Sequence, residues 1–440
     1  MKIFGSVGHQ HIPGQKELTK SKESIILADT VGFKVYFPLA SANGKPVNVL
    51  VKEGDHVLIG TKILERTDFY VPQFASVSGE VVANENRYNA AIGRVAPHLV
   101  IVSDGKQTML VNPLKKIDVE KANQEEIVSL IKEAGIVGLG GAGFPTYIKY
   151  DKAKNVDAVL INGVECEPYL TTDYLFMKMY AESVVEGAEI LRKAAGAKEA
   201  VIAFKVHKHP LAEIYTRALE GHQNVRFVEV PDLYPMGYEK TLIREIFHRE
   251  YARLPIECGI VVNNAQTAAS VYRALVLAEP LVNRLVTISG DGIVNPINIQ
   301  VPIGTPVEKI VEAAGGYTGE QVLLVSGGPM TGPTMHNDQW VIQSSMGAVT
   351  VLKPLEYRKQ SAACLRCGMC SYKCPIGLQP VEIKRALDAK DHVRLEKLET
   401  LRCVECGLCS YVCPSKIEIS DAVKRAKSIL RFEMARKQQK

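Results

Sequence analysis

The chain has 440 residues, 46% hydrophobic and 23% charged, a composition typical of soluble globular protein and long enough for three or four domains. Its formal net charge of +5 is too small for this length to indicate nucleic-acid binding. No apolar run reaches the roughly 18 residues that span a bilayer, and the opening MKIFGSVGHQ lacks the apolar segment of a signal peptide. We therefore expect a protein of a reducing compartment whose membrane contacts pass through partners.

The first quarter of the chain predicts a small β domain, which we assign to residues 1–112. After an irregular stretch, short apolar runs alternate with turns such as Glu53-Gly54-Asp55 and Ser78-Gly79. The pattern resembles a biotinyl/lipoyl-type barrel-sandwich, in which a hairpin tip often carries a modified lysine. The connecting stretch RTDFYVPQFAS contains no lysine, which favours a docking or scaffold role over a swinging arm.

The rest of the chain predicts three further domains, so the expected fold class is multidomain α/β and α+β. Residues 113–278 alternate helical and strand patterns, as in EEIVSLIKEAG, DAVLIN and SVVEGAEILRKAAG, which is typical of a largely parallel sheet. Residues 279–352 predict a β-grasp with strands on either side of one helix. Residues 353–440 hold two cysteine motifs and end in a basic helix, whose charges we interpret as a solvated face.

Two cysteine quartets carry the strongest chemical signal. CLRCGMCSYKCP and CVECGLCSYVCP both follow C-x2-C-x2-C-x3-C-P, in which the cysteine beside proline ligates the other cluster of a two-cluster ferredoxin. Structural zinc sites are the alternative, but they need neither the third close cysteine nor the Cys-Pro pair. We therefore predict a helical, ferredoxin-like module that binds two [4Fe–4S] clusters through crossed ligand sets. The cluster 1 set is Cys364, Cys367, Cys370 and Cys413, and the cluster 2 set is Cys403, Cys406, Cys409 and Cys374.

A glycine-rich loop, GLGGAGFPT at residues 138–146, is the second signal. Its G-x-G-x-x-G pattern follows a predicted helix rather than a strand, so it fails the context of an ordinary dinucleotide fingerprint. Four glycines in six residues still let a backbone approach a flat ring or a phosphate closely. Pro145 predicts the start of a helix whose N-terminal amides suit phosphate. We expect this loop to bind a ligand.

Three polar segments follow predicted strands, at the carboxyl ends where open α/β sheets bind ligands. They are INGVECEPYLTTD after DAVLIN, YPMGYEKTL after VRFVEV, and NNAQT after CGIVV. Their amides and carboxylates suit ribityl hydroxyls and ring edges. Together with the glycine loop, these segments predict one pocket.

These four segments resemble, in the same order, those of the flavoprotein subunit of respiratory NADH dehydrogenase, which binds FMN and then NADH. The resemblance implies that Glu165, Glu167 and Glu239 lie at the flavin–nicotinamide face as catalytic residues. Gln266 departs from that family, which has glutamate there, and the two-cluster module replaces its single-cluster motif. The implied FMN-binding residues are Gly138, Gly140, Gly141, Gly143, Lys149, Asn162, Asn263, Asn264 and Thr267.

Along nearly its full length the chain resembles the RnfC family, the peripheral subunits of Rnf ferredoxin:NAD oxidoreductase complexes. The segments GGAGFPTYIK, NGVECEPYLTTD, YPMGYEKTLI, SGGPMTG and both cysteine motifs carry the resemblance, whereas GHQHIPGQKELT and NNAQT depart from the usual forms. It implies electron transfer between NAD(H), FMN and two [4Fe–4S] clusters at the cytoplasmic side of a membrane-bound, ion-translocating complex. The implied partners are membrane and iron–sulfur subunits and, indirectly, ferredoxin.

Two other interpretations stay open from the sequence. One is a soluble relative of RnfC, such as a cobalamin reductase or the partner of an amino-acid reductase. The other is a non-catalytic electron wire or scaffold, although retention of all four pocket segments weighs against it. The residues alone give neither the electron direction, nor the coupling ion, nor a ligand for the β-grasp, nor a choice between NADH and NADPH.

Overall fold

The computed structural model describes residues 8–151, 153–206, 210–354 and 361–438. They form an N-terminal segment and four packed units, which follow one another in the order that the sequence predicts. Among the helices of these residues, none is both long and apolar enough to cross a membrane.

The N-terminal segment, residues 8–26, runs across the other units instead of joining the barrel that follows it. Gly8 N donates to Tyr372 O at 3.1 Å, and Gln10 pairs with Tyr234. Ile25 pairs with Ile299 in a sheet of the third unit. The segment therefore ties together units that are distant in sequence. Its elements are α1 (Glu17–Lys20) and β1 (Ile25–Ile26).

The first unit is the predicted β domain, built from a four-stranded and a three-stranded antiparallel sheet. Alternate residues of its strands point inward, so that Val35, Phe37 and Ile63 lie in its core. We call residues 66–72, which connect two of its strands, the barrel hairpin. The strands are β2 (Lys34–Pro38), β3 (Val47–Val49), β4 (His56–Val57), β5 (Lys62–Arg66), β6 (Pro72–Phe74), β7 (Gly79–Asn89) and β8 (Arg94–Ser103).

The second unit is an α/β layer around a parallel four-stranded sheet, as predicted. Apolar faces of five helices pack on one side of the sheet, and a sixth helix packs on the other. Asn162 and Asn264 pair at the carboxyl ends of two neighbouring strands, one central and one at the edge of the sheet, which brings the loops after them together. The elements are α2 (Gln124–Glu133), β9 (Ala158–Asn162), α3 (Thr172–Met179), α4 (Ala181–Ala195), β10 (Glu199–Lys205), α5 (Leu211–Ala218), β11 (Val225–Val230), α6 (Glu239–Phe247), β12 (Ile260–Asn264) and α7 (Ala265–Val276).

The helix expected to start at Pro145 is not formed. Only a four-residue 3-10 turn, Thr146–Lys149, follows the glycine loop. It ends where the Lys149 ammonium turns inward to the carbonyl of Val262. The phosphate-binding helix N-terminus predicted at this position was therefore wrong.

The third unit is the predicted β-grasp. Its six-stranded mixed sheet has the order β1, Ile297–Pro302, Asn283–Ser289, Ala348–Leu352, Leu323–Ser326 and Thr334–Met335. Trp340 is buried in the core beside the helix Val307–Ala313. We call residues 326–332, which have the sequence SGGPMTG, the β-grasp loop. The elements are β13 (Asn283–Ser289), β14 (Ile297–Pro302), α8 (Val307–Ala313), β15 (Leu323–Ser326), β16 (Thr334–Met335) and β17 (Ala348–Leu352).

The fourth unit is helical and carries both cysteine motifs. Its final helix is not simply a solvated basic face, because Val423, Ala426 and Leu430 pack into the core of the unit. Lys427 is also buried there, and its ammonium donates to Cys403 O. The helices are α9 (Met369–Tyr372), α10 (Pro380–Asp388), α11 (His392–Lys397), α12 (Leu408–Tyr411) and α13 (Ile419–Gln438).

Candidate functional site

A cavity of about 1130 Å³ lies where the four units meet. The glycine loop and the three polar strand-end segments all line it, as the sequence predicts for one pocket. The barrel hairpin, the β-grasp loop and the turn at Val404 and Glu405 complete its walls. The cavity thus joins the flavin-type segments to the cluster unit.

The glycine loop presents its backbone to this cavity. Leu139 N donates to Thr267 Oγ1 at 2.9 Å, and Gly138 N donates to Phe144 O at 2.8 Å, which fixes the two ends of the loop. Gly141 has φ +112°, and no atom lies within 4 Å of a Cβ built there. That backbone conformation suits glycine alone, and the open side leaves room for a flat ligand.

The asparagines at the strand ends differ in whether the protein itself satisfies their side-chain amides. Asn162 links two segments, since its Nδ2 donates to Gly237 O at 2.8 Å while its Oδ1 accepts from Val164 N at 2.9 Å. Asn263 donates to the Tyr150 hydroxyl, but its buried Oδ1 has no hydrogen-bond partner among the described residues. An unpaired buried acceptor costs free energy unless a ligand satisfies it, so Asn263 fits a ligand-binding role.

Lys149 and Thr267, which are also implied FMN-binding residues, have side-chain polar atoms engaged by the protein as well. Lys149 lines the cavity and donates to Val262 O at 2.7 Å, and burial lowers the pKa of its ammonium. Thr267 is fully buried behind the glycine loop rather than on the cavity wall, and its hydroxyl holds Leu139. Thr267 therefore supports the loop from behind.

The three implied catalytic glutamates line the cavity in different surroundings. Glu167 accepts from Met330 N at 3.0 Å and from Thr331 Oγ1 at 2.5 Å, and burial raises the pKa of its carboxyl. Glu239 accepts from the Tyr251 hydroxyl at 2.6 Å. The β-grasp loop therefore holds one of these carboxylates directly.

Glu165 is held by the N-terminal segment and by α3. Its Oε1 accepts from Asp173 N at 3.0 Å. Its buried Oε2 has no hydrogen bond among the described residues, and the nearest cation is Lys16 Nζ at 3.5 Å. Lys16 Nζ also donates to the carbonyls of Glu165 and Leu170 at 2.8 and 2.7 Å. The divergent opening of the chain thus reaches the site.

Sequence reasoning missed a buried polar network behind the cavity. Asp173 accepts from Gln266 Nε2 at 2.8 Å and from Asn264 Nδ2 at 2.9 Å. Arg284 donates to Gln266 Oε1 at 2.7 Å and to Leu139 O at 3.1 Å. Asp173 ends the quoted segment INGVECEPYLTTD, a position that could have signalled it. Arg284 lies near the start of a strand of another unit, Asn283–Ser289, and gave no local signal.

The network explains the departure at Gln266. A glutamine can donate to Asp173 through its amide group and accept from Arg284 through its carbonyl at the same time. Burial and the neighbouring Glu165 charge raise the pKa of Asp173, while burial lowers the pKa of Arg284 to about 10. A glutamate at residue 266 could donate to the Asp173 carboxylate only if one of the two carboxyl groups kept a proton.

The cluster 2 set converges on one small cavity, which Cys374, Cys403, Cys406 and Cys409 line together. Burial and, to a lesser degree, the neighbouring thiols raise the pKa of Cys406, to about 12. The position of Cys374 beside the three cysteines of the other motif supports the crossed assignment.

The cluster 1 set extends from the core of the unit to its surface. Cys370 and Cys413 lie in the same buried core, whereas Cys364 and Cys367 are exposed. In the described part of the chain, no three His, Cys, Asp or Glu side chains approach closely enough to hold a single ion. Each thiolate of a [4Fe–4S] cluster binds a different iron, so a cluster spaces its ligands more widely than one ion does.

A short buried stretch separates the large cavity from the cluster 2 set. The Tyr234 hydroxyl donates to Cys406 O, and a Cβ at Gly407 would lie 2.8 Å from Met330 O. Cys166, on the cavity wall, packs in the same buried group as Tyr234 and Cys406. The cluster 2 set is therefore the one beside the cavity.

Four family models match successive parts of the chain. They are described as the RnfC barrel sandwich hybrid domain (residues 6–106), the Nuo51 FMN-binding domain (131–273), the SLBB domain (285–334) and the 4Fe-4S dicluster domain (363–417). The C subunit of the Na(+)-translocating ferredoxin:NAD(+) oxidoreductase complex of Acetobacterium woodii is 37% identical, over 79% of this chain and 80% of its own length. The chain belongs to the RnfC family.

Other relatives place this RnfC chain in the same group. The C subunit of the proton-translocating ferredoxin:NAD(+) oxidoreductase complex of Clostridium ljungdahlii is 34% identical, over 85% of this chain and 82% of its own length. A solved NAD+-reducing [NiFe]-hydrogenase in its air-oxidized state matches with a TM-score of 0.50 at 18% identity. That match covers 72% of this chain and 66% of the hydrogenase chain, and it shows likeness of fold alone.

The residues of this RnfC chain fit the cofactors that its family models describe. The cavity exceeds the roughly 300–1,000 Å³ of a typical single-ligand pocket, and it is lined by Asn263, whose buried Oδ1 has no hydrogen-bond partner among the described residues. Four thiols converge at the cluster 2 set. The FMN-binding and dicluster domains of the family are therefore matched by the chemistry of this site.

Proposed function

We propose that this RnfC chain passes electrons between NAD(H), FMN and two [4Fe–4S] clusters. It would act as a peripheral subunit, on the cytoplasmic side, of a membrane-bound ferredoxin:NAD oxidoreductase complex that translocates ions. One observation carries the proposal: a single cavity has the flavin-type segments on one wall and Val404 and Glu405 of the cluster 2 motif on another.

Bound FMN would connect two-electron hydride chemistry to one-electron cluster chemistry. The chain would hold it through backbone of the glycine loop, the unpaired Oδ1 of Asn263 and the buried Lys149 ammonium, while Thr267 supports the loop. Glu165, Glu167 and Glu239 would lie at the face where nicotinamide meets the flavin. Walls from four units surround the site and would limit the access of water to the reacting atoms, which favours hydride transfer. The proposed FMN-binding residues remain Gly138, Gly140, Gly141, Gly143, Lys149, Asn162, Asn263, Asn264 and Thr267.

The packing supports one order in which electrons pass through the cofactors. The cluster 2 set is separated from the cavity only by the buried group around Tyr234 and Cys406. The cluster 1 set is interleaved with it, because each proposed set takes one cysteine from the other motif, and Cys364 and Cys367 of the cluster 1 set are exposed. Electrons would therefore pass between the cavity and cluster 2, then cluster 1, and there reach a partner.

Partners would supply what this chain does not show. The described residues contain no membrane-spanning helix, so ion translocation in this proposal belongs to membrane subunits. An iron–sulfur subunit would exchange electrons with cluster 1 and connect the chain indirectly to ferredoxin. The names of the two bacterial relatives, both subunits of such complexes, support this assembly.

An anaerobic NADH titration of protein reconstituted with iron, sulfide and FMN tests the proposal. We expect stoichiometric flavin, bleaching of its visible absorption by NADH, and reduced-cluster signals by electron paramagnetic resonance. Protein that takes up clusters and FMN but shows no NADH-dependent bleaching would contradict a catalytic role and leave only an electron wire. A Glu167→Gln variant, which keeps the shape of the side chain, should retain flavin and clusters but react more slowly with NADH.

A further inference from the structure

Lys427, on the last helix, is a buried cation beside the cluster 2 set. Its side chain is only 9% exposed, although lysine is almost never buried unless it is paired. Its Nζ donates to the carbonyl of Cys403, a proposed cluster 2 ligand, at 2.5 Å and to Glu405 Oε1 at 2.7 Å. The helix therefore holds a positive charge against the backbone of a cluster ligand.

The packing of α13 fixes the position of this charge. Val423 and Leu430 lie four residues before and three residues after Lys427, so all three share one face of the helix. Both apolar side chains are buried in the core of the cluster unit. The stem of Lys427 is consequently directed into that core, and its ammonium reaches the cluster 2 motif instead of solvent.

The carboxylate that pairs with Lys427 lies in a different environment. Glu405 lines the large cavity and its side chain is 36% exposed, four times the exposed fraction of Lys427. Its backbone N also donates to Cys403 Sγ at 3.3 Å, which places the turn around this ligand. Because water screens an exposed charge more strongly than a buried one, the positive charge outweighs its partner at the cluster 2 set.

The helix that follows the first cysteine motif has no such cation at the matching position. It carries the sequence IKRAL at residues 383–387, and α13 carries VKRAK at residues 423–427. Leu387 therefore corresponds to Lys427, and it packs against the core of the unit. The two cysteine motifs thus have different electrostatic surroundings.

We propose that the buried Lys427 ammonium raises the reduction potential of cluster 2. Reduction adds one negative charge to a group that already has four thiolate ligands, and a cation nearby in a poorly screened site stabilises that added charge. The electron comes from the reduced flavin, and no bond forms or breaks at the cluster. The inference rests on the proposed function and adds the residue that favours entry of electrons from the cavity.

Redox titration of the reconstituted full-length protein with dithionite and mediators, followed by electron paramagnetic resonance, measures this potential without NADH. The Cys367→Ser spectrum identifies the cluster 2 signal. Lys427→Met keeps an apolar stem and should lower the cluster 2 potential by about 59 mV or more, a tenfold or larger change for one electron. Glu405→Gln removes the opposing charge and should raise the potential. Lys427→Arg should keep it near the wild-type value, and the cluster 1 potential should shift less in every variant.

Lys437→Met is the matched control on the same helix. Lys437 also forms an ion pair, with Glu396 at 3.7 Å, but its side chain is 72% exposed. It lies about 15 Å further along the helix, beyond the distance at which salt screens surface charges. This variant should have the wild-type cluster 2 potential.

An unchanged cluster 2 potential in Lys427→Met with full iron content overturns the inference. Shifts of the same sign in Lys427→Met and Glu405→Gln also overturn it, since they indicate a disturbed turn and not an effect of charge. If Lys427→Met takes up no cluster 2, Glu405→Gln decides, and an unchanged potential in that variant overturns the inference. Wild type whose clusters titrate with dithionite but whose flavin does not react with NADH contradicts the proposed function alone.

Discussion

Glu167 shows how residues from separate units hold one side chain in position. The carboxylate follows β9 in the flavin-type unit, but both of its hydrogen bonds come from the β-grasp loop, from Met330 and Thr331. The sequence predicted Glu167 from its local motif. It could not predict Thr331 as a partner, because the contact joins residues 164 positions apart.

Replacing Thr331 by valine removes the hydroxyl and keeps the shape of the side chain. Loss of one such hydrogen bond costs about 1–2 kcal/mol, so kcat/KM for NADH should fall about five- to thirtyfold with FMN content unchanged. Thr331→Ser should restore the rate in steady-state NADH oxidation. Thr318→Val, which removes an exposed hydrogen bond to Asp291 O in the same unit, should have no effect. Equal rates in Thr331→Val and wild type would exclude a positioning role.

The raised pKa of Asp173 predicts that the stability of the folded protein depends on pH. Its pKa is raised in the folded protein, chiefly by burial, so the unfolded chain loses this proton at lower pH than the folded chain. Stability contributed by this group is therefore present below its unfolded pKa of about 4 and is lost as the pH rises through the raised folded value.

Denaturant unfolding at pH 5 and pH 8 measures this effect. Wild type should lose more stability between the two pH values than Asp173→Asn, in which this ionisation is absent. Asp157→Asn is the control, because ion pairs with Arg249 and Lys198 lower the pKa of Asp157 instead. If wild type and Asp173→Asn lost the same stability, Asp173 would not titrate in this range.

Among the elements, the glycine loop was predicted well, but the segment that follows it was not. Its four glycines predicted that the loop backbone can approach a ligand closely, and the loop does line the cavity wall. The helix expected after Pro145 does not form, because the segment makes only a four-residue 3-10 turn, whose last residue, Lys149, points inward to the carbonyl of Val262. Regular strands and helices with strong periodicity were predictable, whereas this turn depends on a contact with Val262 in β12.

Gly141→Ala tests the loop as a flavin-binding element. At φ +112° an alanine is strained, by about 1–2 kcal/mol or more, and its methyl group points into open space where a ligand would lie. We expect FMN affinity to fall at least about tenfold, measured by flavin fluorescence during reconstitution, with the iron content unchanged. Gly44→Ala, also at positive φ with open space but outside the site, is the control. Normal FMN affinity in Gly141→Ala would place the flavin elsewhere.

At the scale of the whole molecule, the sequence predicted the order of the four units but not how they enclose one cavity. The parallel sheet, the β-grasp and the crossed cysteine motifs follow from local patterns and spacing. The N-terminal segment gave no such pattern, because Lys16 and Gln10 act through contacts with Glu165 and Tyr234. Its path across the other units is a product of tertiary packing.

If cluster 2 lies beside the cavity, cysteine variants of the two ligand sets should differ in whether NADH reduces the cluster that remains. Cys374→Ser should remove cluster 2 and about half of the iron, so NADH would still bleach the flavin while the remaining cluster stayed oxidised. Cys367→Ser should remove cluster 1 and leave a cluster that NADH reduces. Iron analysis and electron paramagnetic resonance after NADH addition measure both outcomes. Identical behaviour of the two variants would contradict the position of cluster 2 beside the cavity.

The most direct measurement is rapid freeze-quench electron paramagnetic resonance of the reconstituted wild type after mixing with NADH, with the Cys367→Ser spectrum to identify cluster 2. The proposed relay predicts that flavin bleaching comes first, that the cluster 2 signal appears next, and that the cluster 1 signal follows. Appearance of the cluster 1 signal before that of cluster 2, or flavin bleaching with neither cluster reduced, would contradict it.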